Sequence, residues 1–182
     1  MGSRRPVIIA GSVLAGVAAS VILLAWLFSP LRYLRDRDLE EVRRFVALSV
    51  QWPQERPLPP ATIKWRSQLW FVRNRPCALD AKGHRRPCMV LATCKDDQTI
   101  IMSLGLIYGP VAKEFGTKAR LRSVYAHEYA HILQFAALRH WAFTQVEVDT
   151  LELQAYNVQN NYLRMHGAGH RLYSYRPRAE QE

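Results

Sequence analysis

Cysteine is scarce in this chain, and acid is outnumbered. Its 182 residues hold three cysteines, none of them in a C-x2-C pair, so a zinc ribbon is excluded. Asp and Glu total 15 against 25 Lys and Arg, and twenty of those basic residues are Arg, giving a net charge of +10. Such a charge suits nucleic acid, anionic lipid or an acidic substrate. No zinc-finger motif, RRM motif or arginine-rich run accompanies it, which argues against nucleic acid. Internal repeats are absent too. A chain of this length can bury a core of its own, without disulfides or a structural metal.

What the sequence does have is one long apolar run. Residues 7–28, "VIIAGSVLAGVAASVILLAWLF", are 22 consecutive uncharged residues, against about 20 needed to cross a bilayer core. Arg4 and Arg5 precede it, Arg32 and Arg35 follow, and Trp26 and Tyr33 lie near one end. A cleaved signal peptide has a shorter apolar region and a small-x-small cleavage site, which "LLAWLFSPLRY" does not offer. The expectation is therefore a single-pass membrane protein, held in the lipid bilayer by a transmembrane helix at 7–28. Gly11, Ala15 and Ala19 are small residues through which two such helices pair in a homodimer. For orientation, the excess of Arg after the run favours a cytoplasmic domain. Cys77 and Cys88 point the other way. They bracket "CALDAKGHRRPC", a hairpin pattern with Gly83 at its turn, and a disulfide between them would persist only in an oxidising compartment. Cys94 is left over. An extracytoplasmic domain is the expectation adopted.

The rest of the chain divides into a juxtamembrane helix and Pro-rich linker at 31–60, a domain at 61–175 and a disordered tail at 176–182. In "RDRDLEEVRRFVALSV", Leu39, Val42, Phe45, Val46 and Val50 recur on one helical face, and Asp38 and Glu41 have capping-box spacing. Pro53, Pro57, Pro59 and Pro60 end that helix. Three runs rich in β-branched and aromatic residues read as strands: "IKWRSQLWFV", "CMVLAT" and "TIIMSLGLIY". Helical patterns follow at roughly 118–139 and 144–166. The predicted fold class is α+β: a small antiparallel sheet with two long helices, preceded by one transmembrane helix. The basic cluster Arg73, Arg75, Lys82, Arg85 and Arg86 reads as a solvated face.

The chemistry lies in "HEYAHILQF", residues 127–135. His127 and His131 are four apart, so on a helix they project from one face and can share a Zn²⁺ ion. Glu128 is placed to act as general base. Leu121, Val124, Tyr125, Ile132, Phe135 and Leu138 supply the packing positions of that helix. A metzincin continuation needs Gly at 134 and His at 137, where the chain has Gln134 and Ala137. His140 would need a sharp chain reversal to reach the metal. The following helix offers Glu147, Asp149 and Glu152 as a third ligand.

With "ELQAY" downstream, this pattern resembles the gluzincin zinc metallopeptidases over about 35 residues, Ala126 to Asn161. In that class the third ligand is a Glu on a second helix, often with a small residue three later. The resemblance implies His127, His131 and Glu152 as ligands, Ala155 letting the helices approach, and Glu128 as the base for a zinc-activated water that hydrolyses a peptide or protein substrate. Gluzincins commonly carry an Asp four residues after the metal Glu to orient a ligand His; here Tyr156 stands there, and Asp149 or Asn157 is expected to substitute. His166, His170, Arg171 and Tyr173 are candidate oxyanion stabilisers by type and position. "TIIMSL" at 99–104 is the expected edge strand for an extended peptide. Two other readings compete: a non-catalytic zinc-binding adaptor on the same scaffold, and a basic lipid- or nucleic-acid-binding membrane protein.

Overall fold

The computed structural model describes residues 17, 19–21, 34–74, 91–108, 117–139 and 144–168. Helix α1 spans Asp36–Ser49, followed by strand β1 at Thr62–Arg66 and helix α2 at Gln68–Asn74. Strands β2 (Ala92–Cys94) and β3 (Thr99–Ser103), a one-turn helix α3 (Gly105–Tyr108) and two 21-residue helices, α4 (Lys118–Leu138) and α5 (Gln145–Met165), follow among the described residues.

The fold is α+β, with three differences from expectation. The first is the sheet, which is mixed. Its strand order is β1-β3-β2, with β1 parallel and β2 antiparallel to β3. A parallel pair needs a crossover, and α2 lies within it. The run "IKWRSQLWFV" therefore breaks at Ser67, which caps α2 by accepting from Trp70 N through both its backbone oxygen (3.0 Å) and its Oγ (3.3 Å). Second, β3 is the central strand, every residue of it buried, so "TIIMSL" is not an edge.

The third concerns the membrane. Among the described residues no helix is long and apolar enough to cross a bilayer, which corrects the expected transmembrane helix and the single-pass, extracytoplasmic placement built on it. A span takes about 20 apolar residues. Of 7–28, only Val17, Ala19, Ser20 and Val21 are described; α4 and α5 are long enough but carry Lys118, Arg120, Arg122, Glu128, Glu147, Asp149, Glu152 and Arg164. The Cys77–Cys88 hairpin, the tail after 175 and all of the basic cluster except Arg73 lie outside the described residues.

Helix α4 is the centre of the core. It is buried continuously from Arg120 to Ala130, enclosed by α1, α5 and the sheet. Leu121, Val124, Tyr125 and Ile132 pack as the spacing predicts, whereas Leu138 is exposed. Helix α1 contributes Leu39, Val42 and Val46, and Phe45 meets Tyr162 of α5 edge to face at 5.3 Å. Asp38 and Glu41 do not form the expected cap. Both reach the buried Arg122 of α4, at 2.7 and 3.8 Å, and so fasten α1 to the central helix. The Pro-rich connection is tied down as well, since Tyr129 donates its hydroxyl to the Pro59 carbonyl at 2.7 Å.

Candidate metal centre

Two helices build the centre. Helix α4 starts at Thr117, whose side chain accepts from Arg120 N, and continues past Phe135 to a left-handed stop at Arg139. His127 and His131 thus stand one turn apart on a well-packed rod. Helix α5 starts at a capping box: Thr144 Oγ1 accepts from Glu147 N, and Glu147 Oε2 accepts from Thr144 N. That use of Glu147 takes it out of the ligand question. Asp149 is also removed, because it accepts from Gln145 on the exposed side of the helix at 2.8 Å. Glu152 is the acid that arrives opposite the histidines. Ala155, one turn later and fully buried, keeps the helix interface thin at that level.

The geometry fits a small cation. His127 Nε2 and His131 Nε2 lie 3.3 Å apart, and Glu152 presents one carboxylate oxygen to each, at 3.4 and 3.5 Å. Donors at ~2.0–2.1 Å from a four-coordinate zinc are separated from one another by roughly 3.3–3.4 Å. One donor atom from each of the three residues falls within 4.8 Å of the others, close enough to hold a metal ion. The centre is also reachable: the histidine side chains are 11% and 14% exposed, but Glu152 retains 31%.

The charges agree with the geometry. Burial pushes the Glu152 carboxyl up, but the two imidazoles outweigh it and hold the group well below the usual carboxylate range. Burial depresses His131, and its contacts with Glu152 and Glu128 more than reverse that, leaving the imidazole above its ordinary value. The cluster is an anionic cage that favours a positive charge, whether proton or metal. Glu128 is buried beside it. Desolvation raises its carboxyl, the imidazoles of His127 and His131 pull it back, and the net shift is upward.

Around these groups lie residues that the sequence did not single out for the site. His131 Nδ1 is 2.7 Å from Gln134 Oε1, and Gln134 Nε2 in turn donates to Leu151 O and Gln154 Oε1. Gln134 sits three residues after His131 on the same helical face, which was the only available signal. Neither expected substitute, Asp149 or Asn157, meets the second nitrogen of a ligand histidine, since His131 Nδ1 is taken by Gln134 and His127 Nδ1 has no hydrogen-bond partner among the described residues. Tyr156 packs its ring edge-on against His127, with centroids 4.5 Å apart. Cys94 of β2 donates its thiol to the Glu128 carbonyl at 2.9 Å, bringing the sheet to the base.

His166 does not join the centre. It is the exposed C-cap of α5, its ring 4.2 Å from that of Tyr162, and fourteen residues beyond Glu152 amount to about 21 Å of helix. His140, His170, Arg171 and Tyr173 lie outside the described residues. No protein-family model, curated protein or solved structure matches the chain.

Proposed function

We propose that this chain is a zinc metallopeptidase of gluzincin type. The observation that carries the reading is the convergence of His127, His131 and Glu152 from two helices, with Glu128 buried next to them. Two imidazoles and a carboxylate form the donor set of a zinc site that keeps a position open for chemistry. When bound, Zn²⁺ supplies a Lewis acid that lowers the pKa of water and polarises a carbonyl.

The chain's own residues do the rest. Glu128 accepts a proton from the attacking water and delivers it to the departing amine, and burial, by raising its carboxyl above the ordinary range, favours holding that proton between the two steps. An extended peptide is held by strand addition at β2. Lys95 N donates to Thr99 O, and Ser103 N donates to Leu91 O, which directs the backbone groups of Leu91 and Lys95 toward β3 and those of Ala92 toward the opposite edge, where no strand pairs among the described residues. Cys94 on the same strand touches Glu128, so this edge runs beside the base. The peptide's main chain pairs with β2, and its scissile carbonyl faces the donor cluster.

The test is metal content together with peptidase activity on unstructured polypeptide. Glu128→Gln should retain zinc and lose hydrolysis by a factor of about 10²–10⁴. Full activity in that variant would refute the peptidase reading.

A further inference from the structure

Gln134 is buried at the junction of α4 and α5, with 7% of its surface exposed. Its amide nitrogen lies 3.0 Å from the Leu151 carbonyl oxygen and 2.8 Å from Gln154 Oε1, and its amide oxygen lies 2.7 Å from His131 Nδ1. The Leu151 carbonyl can only accept, so the amide must turn its nitrogen toward it. The amide oxygen then faces His131, and because that oxygen can also only accept, the hydrogen of the contact belongs to Nδ1. A neutral imidazole with hydrogen on Nδ1 carries its lone pair on Nε2. Nε2 is the atom directed at His127 and Glu152.

We propose that Gln134 is the positioning residue of the centre. It holds His131 in the Nδ1–H tautomer and ties that ring to the α5 backbone one residue before Glu152. A single amide thereby sets the tautomer of one ligand and the location of another on a different helix, before any ion arrives. The inference rests on the metal-centre reading, in which the bare Nε2 is a ligand atom. Metal-ligating histidines need their second nitrogen held in this way. His127 has no such partner: its Nδ1 is buried without a hydrogen bond among the described residues, so the load of orientation falls on Gln134.

The experiment uses the full chain, stripped of metal, at a pH well above the ordinary histidine range. Long-range ¹⁵N–¹H NMR correlations on His131 report which nitrogen carries hydrogen, and a competition titration with a zinc-binding dye reports affinity. Wild type should have hydrogen on Nδ1. Gln134→Met, close in volume and unable to hydrogen-bond, should lose that preference and bind zinc about 10–100-fold more weakly with its helical circular dichroism kept. Gln154→Ala removes an outer acceptor but leaves Leu151 O, so the tautomer should persist. Hydrogen on Nε2 in wild type overturns the proposal even where the Met variant fails to fold; unchanged tautomer and affinity in a folded Met variant overturn it as well. If wild type takes up no zinc while His131 still carries hydrogen on Nδ1, the metal-centre reading falls and the orienting bond stands.

Discussion

Cys94 lies against Glu128, its Sγ donating to the Glu128 backbone oxygen at 2.9 Å. Burial, reinforced by the neighbouring Glu128 carboxylate, pushes the thiol far above its usual range. The thiolate is the reactive form, so iodoacetamide at pH 8 should modify Cys94 much more slowly in the folded chain than in urea. The linkage has a definite sign. Because the folded pKa is raised, the contribution is intact below the unfolded thiol pKa and is lost as pH rises above it, where only the unfolded chain ionises. Stability should therefore fall through the alkaline range more steeply in wild type than in Cys94→Ala. Rapid alkylation of the folded protein would contradict this placement of the thiol.

Ala155 is fully buried one turn after Glu152. Ala155→Leu adds volume where the two long helices meet, and overpacking of this kind costs about 1–3 kcal/mol. It also moves Glu152 away from the histidines, so zinc affinity should drop by at least about tenfold. Leu153→Gln, at an exposed position on the same helix, should change neither stability nor zinc binding. Calorimetry and a zinc titration on both variants decide the matter, and equal behaviour of the two would contradict the close approach of α4 and α5.

Arg122 is only 2% exposed and pairs with Asp38 at 2.7 Å. Removing Asp38 leaves a buried guanidinium short of its nearest acid, so Asp38→Ala should cost about 2–3 kcal/mol in urea unfolding. Adding Arg122→Met should recover much of that loss, because an apolar side chain of similar length has no charge to satisfy. A double variant no more stable than Asp38→Ala would show that the pair is not what joins α1 to α4.

How much of this was legible beforehand depended on the range of the signal. HEYAH within a run of apolar positions spaced for a helix is a local pattern, and α4 and α5 fall where periodicity put them. The elimination of Glu147 was also readable, because Thr144 and Glu147 carry capping-box spacing. Other features depend on partners distant in sequence. "IKWRSQLWFV" has strand-like composition throughout, yet only its first part pairs with β3, since Ser67 starts a helix. Nothing local reveals that β1 runs parallel to a strand some 37 positions later, as the Thr62–Thr99 register requires. In the sequence Gln134 only excludes another ligand pattern; its role depends on α5 bringing Leu151 O to 3.0 Å from its amide nitrogen. Asp38 and Glu41 had the spacing of a cap but serve a long-range ion pair instead.

The most direct test of the centre is zinc content by inductively coupled plasma mass spectrometry on the purified full chain, beside Glu152→Ala and Glu128→Gln. With His127, His131 and Glu152 as the donors, wild type and Glu128→Gln should each carry about one zinc per chain, and Glu152→Ala should lose it under mild chelation. A folded wild-type chain without zinc, or a Glu152→Ala variant that retains it as firmly as wild type, would contradict the centre.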